Sequence, residues 1–128
     1  MNVPGLSEPP GYSHVAVARG SKLVFTAGHV PLDQAGNLVG PGDLGAQTRQ
    51  VLANLEAALA EAGATPQDVV KTTIFVVAGE QEDLPAAWRA FREFAAPGLR
   101  SAPSTLLGVS RLGYTGQLVE IEAVAILD

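Results

Sequence analysis

Two carboxylates, Glu120 and Glu122, stand two residues apart inside the otherwise apolar run Val119–Leu127. Side chains alternate along a strand, so Glu120, Glu122, Val124 and Ile126 share one face, and Val119, Ile121, Ala123, Ala125 and Leu127 share the other. Burying an unpaired carboxylate is costly, so this face needs cations, hydrogen-bond donors or a wet cavity beside it. The pair is therefore either structural and satisfied, or it lines a site where a carboxylate can act as a general base. His14 and His29 are the only histidines. Neither has a second ligand at usable spacing, and zinc takes three or four protein ligands, so no metal site and no cofactor are expected. His14 reads as a strand side chain with one hydrogen bond. His29 follows the strand-end Gly28, and a cleft-facing role and a structural one stand level. Tyr12, after Pro9-Pro10-Gly11, reads as an aromatic lid on the core. Lys71, inside a strand, either snorkels to water or pairs with a glutamate on a neighbouring strand.

The bulk properties narrow the chemistry further. With 128 residues the chain is read as one domain over 1–128, with residues 1–11 as an irregular lead-in rich in Pro and Gly. A net charge of −5, with eight Lys and Arg and no basic run, argues against nucleic acid as a partner. The absence of cysteine excludes a thiol nucleophile and fits a cytoplasmic protein. The first residues lack the basic start and apolar core of a signal peptide, and no apolar run approaches membrane-spanning length. No G-x-S-x-G, P-loop or G-x-G-x-x-G stands in a suitable setting.

The elements that must position these residues follow from periodicity. Tyr12 to Ala18 and Leu23 to Gly28 read as a hairpin across the turn Arg19-Gly20-Ser21-Lys22. Gly28 marks a bulge or a close backbone approach. Asp43 is placed to cap a helix over Leu44–Ala62, with Leu44, Val51, Leu52, Leu55 and Leu59 on its apolar stripe, Gln47, Gln50 and Asn54 off it, and Gly63 at its end. Thr65 to Asp68 gives one short turn, and Val69 to Ala78 a central strand apolar on both faces. Glu80, Glu82 and Asp83 open a second helix carrying Leu84, Trp88, Phe91 and Ala95 on one face, with Pro97-Gly98 as its stop. Strands at about Ser104–Ser110 and Leu118–Leu127 complete the order ββαβαββ. That order gives an α+β layer, a mixed sheet with two helices on one face. The uncovered sheet face is apolar, and copies of the same chain are its simplest cover.

Five segments then add up to a resemblance. Gly11-Tyr12-Ser13-His14, Ala27-Gly28-His29-Val30-Pro31-Leu32-Asp33, Gln47 to Leu55, Val69 to Phe75 and Val119 to Ala125 fall in one order that resembles the Rid (YjgF-type) family of enamine/imine deaminases. The match runs from about Gly11 to the C-terminus. It implies a chorismate-mutase-like fold and a homotrimer with a central barrel, with small-molecule clefts between subunits. Active members hydrolyse 2-aminoacrylate-type enamines and imines to 2-oxo acids and ammonia. In them an arginine clamps the substrate carboxylate and a glutamate positions the attacking water. Glu120 matches that glutamate, Tyr12 the pocket tyrosine, and Gly28 with His29 the pocket turn, where many members have glutamine in place of His29.

The chain departs from this pattern at the clamp. The family's arginine comes in a Pro-Ala-Arg-Ser segment, whereas this chain reads Ser101-Ala102-Pro103-Ser104. Ser104 stands at the arginine position by counting back from Val109-Ser110-Arg111-Leu112, and Pro103 by local matching; neither can pair with a carboxylate. Arg100 lies roughly 13 Å from Ser104 along an extended chain and substitutes only if the loop folds back. Trp88 stands where asparagine is usual. The sequence therefore implies a small-molecule-binding protein of this family, in a subgroup lacking the arginine, and a hydrolase of imines other than ordinary 2-imino carboxylic acids. The alternatives are an authentic 2-iminobutanoate/2-iminopropanoate deaminase with a relocated arginine, and a non-enzymatic trimer that binds ligands or partners. Older labels of the family include ribonuclease activity, which the acidic charge disfavours.

Overall fold

A computed structural model describes residues 1–128. In chain order it contains β1 (Lys22–Phe25), α1 (Leu44–Glu61), a 3-10 turn (Pro66–Asp68), β2 (Val69–Val77), α2 (Asp83–Phe94), α3 (Pro97–Ser101), β3 (Ser104–Val109) and β4 (Val119–Leu127). The four strands form one sheet in the order β1-β4-β2-β3. Only β2 and β3 run parallel, joined by the crossover through α2 and α3; β4 is antiparallel to both β1 and β2.

The period of two in β4 is realised. Val119, Ile121, Ala123 and Ala125 are buried, whereas Glu120, Glu122, Val124 and Ile126 are half-buried on the opposite face. β2 continues both surfaces. Thr72, Ile74 and Val76 lie buried against the helices, and Lys71, Thr73, Phe75 and Val77 look the other way after a register break between Val69 and Lys71. Val51, Leu55 and Leu59 of α1 and Phe91 of α2 are fully buried and close one core with Ile74, Leu99 and Ile121. All helices cover that one face. On the other face Leu23, Phe25 and Leu107 are 63%, 70% and 42% exposed.

The helix boundaries follow local chemistry. Asp43 caps α1, its Oδ1 accepting from the Ala46 N–H at 3.0 Å. Gly63 ends α1 with φ +83°, a conformation costly for a residue with a β-carbon. Asp83 Oδ2 accepts from the N–H groups of Gly79 and Glu80 at 3.0 Å each, fixing the entry to α2. No helix is long and apolar enough to cross a membrane.

Four expectations are corrected. Tyr12–Ala18 is not a strand, so the order is βαβαββ with an added short helix, and β1 is an edge strand. The segment bonds elsewhere, Ser13 N–H to the Ser101 carbonyl at 3.0 Å and Val15 N–H to Met1 at 3.2 Å. Its Val15 and Val17 are left exposed. Pro97-Gly98 does not merely stop α2; Pro97 starts α3, where its missing N–H is not needed, and Gly98 lies against the Pro66 carbonyl with no room for a β-carbon. Gln47 belongs to the core, fully buried, instead of lying off the packed stripe. Lys71 does not pair with Glu122, and its half-buried stem carries Nζ to an exposed position. Its Nζ donates to Thr105 Oγ1 at 2.6 Å, and the residue facing Glu122 across the sheet is Thr73.

Candidate functional site

Glu120 sits one residue into β4, on the face away from the helices, opposite Phe75 of β2. On its other side the ladder with β1 breaks and resumes. Phe25 pairs with Val124, but His29 pairs with Ile121, exchanging N–H···O bonds of 2.8 and 3.2 Å, so the register shifts by one residue between them. Thr26 covers the break, its Oγ1 accepting from the Ala123 N–H at 3.0 Å. The displaced residues Ala27 and Gly28 thus pass over Glu120. A β-carbon on Gly28 would fall 2.8 Å from Glu120 Cδ and closer still to Oε2. Only glycine leaves room for the carboxylate there.

The other carboxylate oxygen is held from the turn before β4. Gln117 Nε2 donates to Glu120 Oε1 and to the Val119 carbonyl, both at 3.1 Å, while Gln117 Oε1 accepts from the Tyr114 N–H at 3.2 Å. Gln117 is itself buried. Gln47 fastens the same turn to α1. Its Nε2 donates to the carbonyls of Gly40 at 3.1 Å and Gly116 at 3.0 Å, and its Oε1 accepts from the Leu118 N–H at 2.8 Å. Asn54, two turns further along the same face of α1, donates to the carbonyls of Val30 at 2.8 Å and Leu32 at 3.0 Å, which anchors the loop after His29. Sequence reasoning missed Gln47 and Gln117. Gln47 stands in a motif that carried the resemblance; nothing local marks Gln117.

The electrostatics are those of a carboxylate with a neutral donor and an imidazole neighbour. Burial pushes His29 below the usual imidazole value of about 6.5, and the Glu120 charge pulls it part of the way back. The imidazole is accordingly neutral at pH 7, able to donate or accept one proton at the edge of the Glu120 site.

Tyr12 and Ser104 meet elsewhere. They line a cavity of about 450 Å³ with Trp88 and Leu106, walled by Pro10 and Leu84. Trp88 meets Tyr12 edge to face at 5.8 Å and stacks on Phe91 at 5.3 Å. Its Nε1–H donates to the Pro10 carbonyl at 2.8 Å, tying the lead-in to α2. Tyr12 is thus a lid, set on Trp88 and on the cavity beneath it. Arg100 does not enter this cavity. Its Nη1 donates to the Arg92 carbonyl at 3.3 Å, at the C-terminal end of α2, where a cation suits the helix dipole.

The six expected site residues therefore form two groups and one outlier. Glu120, Gly28 and His29 lie together; Tyr12 and Ser104 lie together; Arg100 joins neither. β2 separates the groups. Ser104 pairs with Thr72 on the helix side, and Glu120 pairs with Phe75 on the open side. Two strand spacings and three residues along β2 put their Cα atoms on the order of 14 Å apart, with side chains on opposite faces. One chain cannot bring Glu120 to a molecule held against Ser104.

Comparison with known proteins bears on the family and the fold. The chain matches the family described as Endoribonuclease L-PSP over residues 6–127. It is 37% identical to a RutC family protein of Synechocystis sp. over 117 residues, 91% of this chain and 85% of that one. It is 32% identical to the 3-aminoacrylate deaminase RutC of Acinetobacter baylyi over 92 residues, covering 72% and 71%. Its structure superposes on YyfB of Yersinia pestis, a Rid-family protein of unknown function, with a TM-score of 0.84 and 39% identity over 99% of this chain and 96% of that one. The fold is the mixed α+β, chorismate-mutase-like arrangement shared by these proteins. The chain belongs to the Endoribonuclease L-PSP family, which comprises the YjgF, Rid and RutC proteins.

Proposed function

We propose that this chain is a Rid-family small-molecule-binding protein that assembles as a homotrimer and hydrolyses enamines or imines lacking the carboxylate of ordinary 2-imino acids. The observation that carries this reading is the seating of Glu120: one oxygen on Gln117, the other against Gly28, with His29 beside it. A carboxylate so placed takes a proton from water as the water oxygen bonds to the imine carbon. The nitrogen gains a proton, the C–N bond of the resulting carbinolamine breaks, and a carbonyl compound and ammonia leave. No cofactor is needed for this step.

Assembly follows from the separation of the two groups. The cavity at Ser104 and the carboxylate at Glu120 face opposite ways on one sheet, so a site using both is built from two copies. The exposed Leu23, Phe25 and Leu107 supply apolar surface for the contact. No charged residue lines the Ser104 cavity, which supports a substrate without the clamped carboxylate. A relative named as a 3-aminoacrylate deaminase supports the reaction class. The net charge of −5 gives no support to a ribonuclease.

The test is ammonia release from a panel of imines generated in situ, with and without a carboxylate, comparing the parent protein with Glu120→Gln. The variant is expected to lose on the order of 10²–10⁴ in rate, the worth of a general base. Equal rates would remove the role given to Glu120. Light scattering is expected to give the mass of three 13.2 kDa chains.

A further inference from the structure

The cavity beside Trp88 has an unusual balance of groups. Its walls are aromatic and aliphatic, and none of its lining residues carries a charge. At about 450 Å³ it falls within the range of small-ligand pockets and exceeds the roughly 150 Å³ that accommodates a benzene ring. An anion placed there would give up its water for no compensating cation. Neither arginine of α2 is in the lining, and Arg92, one turn on from Trp88, packs its guanidinium against Gly11.

Two hydroxyls stand among the lining residues, those of Tyr12 and Ser104, and the second has its role fixed by a buried partner. Thr72 is fully buried, and its Oγ1 is paired with Ser104 Oγ at 2.8 Å. Leaving the proton of a fully buried hydroxyl unmet is costly, so Thr72 donates and Ser104 accepts. The Ser104 proton is then free for another acceptor, while the indole N–H of Trp88 is already committed to Pro10.

We propose that this cavity binds a neutral, flat apolar molecule bearing one hydrogen-bond acceptor, an aromatic or cyclic ketone or imine. Its ring lies against Trp88 and Tyr12, and its carbonyl oxygen or imine nitrogen accepts from Ser104. The assignment rests on the cavity being the binding half of the site proposed above, and it names the substrate class that site takes.

Trp88 is the sole tryptophan, so its indole N–H gives a single reporter resonance in proton–nitrogen spectra of the full chain. Titration with acetophenone is expected to shift that resonance saturably. Benzoate, of the same ring size but charged, is expected to bind at least tenfold more weakly. Ser104→Ala is expected to weaken acetophenone about fivefold and to leave toluene, which has no acceptor, unchanged. Ser104→Thr, which keeps the hydroxyl, is expected to retain acetophenone binding, separating the lost donor from a disturbed fold.

Three outcomes overturn the assignment: no saturable shift with any neutral probe, as when a neighbouring copy fills the cavity; benzoate binding as tightly as acetophenone and weakened by Arg92→Ala; or equal loss of toluene and acetophenone in Ser104→Ala. The hydrolytic reading fails differently. Acetophenone that binds as expected, with no ammonia released from its imine, removes the reaction and leaves the pocket assignment standing. Imine turnover that acetophenone does not inhibit removes the pocket assignment and leaves the reaction.

Discussion

The carboxylate of Glu120 occupies the space where a side chain on Gly28 would begin, and the one-residue register shift between β1 and His29 is what brings Gly28 there. The backbone of Gly28 is not in the left-handed region. Whatever favours glycine at this position is contact with the Glu120 side chain and not φ.

Gly28→Ala is therefore expected to displace Glu120. Overpacking of this kind costs about 1–3 kcal/mol, and ammonia release should fall at least tenfold. In a Glu120→Ala background the added methyl group has room, and its cost should drop below about 0.5 kcal/mol, the level of independent sites. Denaturation of the four proteins of this cycle measures the coupling. Equal costs in both backgrounds would show that the two residues do not contend for the same space.

His29 gives a pH signature. Its folded value is lowered, by burial first, with Glu120 opposing. The unfolded chain then holds the proton at a pH where the folded protein has released it. The contribution to stability is complete above about 6.5 and is lost as the pH falls towards the folded value. His29→Gln should flatten this part of the stability profile. Glu120→Gln removes the opposing charge, so imidazole titration by NMR should show His29 lowered further; an unchanged or raised value would contradict the arrangement.

Gln47 satisfies three backbone groups from two separate turns. Gln47→Leu keeps the volume and removes all three bonds. Gln47 itself is fully buried, but its partners lie in half-buried or exposed residues, so the loss should reach about 1–3 kcal/mol in chemical denaturation. A loss below 1 kcal/mol would mean that the turns re-bond to water.

Arg100 tests the idea of a relocated clamp. Its guanidinium is turned to the end of α2. Arg100→Ala should leave ammonia release within twofold and cost under about 1 kcal/mol of stability, the worth of one exposed hydrogen bond. Abolished turnover of a 2-imino acid in this variant would instead establish the arginine as a substrate ligand.

Short-range patterns were legible wherever burial and backbone geometry agree. The alternation of Val119–Leu127, the Asp43 cap and the Gly63 stop each depend on neighbours within a few residues, and each appears where its pattern places it. Tyr12–Ala18 misled because a loosely alternating run states no partner, and strand pairing is a property of two segments. The site was legible only in part. Glu120, Gly28 and His29 share a place, and Gly28 was the one local mark of the register shift and close approach that seat them. Gln47 and Gln117 escaped because a polar residue enters the core only when distant backbone groups satisfy it, and those groups come from turns far along the chain.

The sequence by itself determined the family and most of the element types, since these rest on residue identity and on periods of 2 and 3.6. Tertiary structure alone decided that Glu120 and Ser104 lie on opposite sides of β2, that Arg100 is spent on a helix end, and that Trp88 walls an uncharged cavity. The physical reason is that strand order and the pairing of buried polar groups are set by contacts between segments remote in sequence, which no local pattern records.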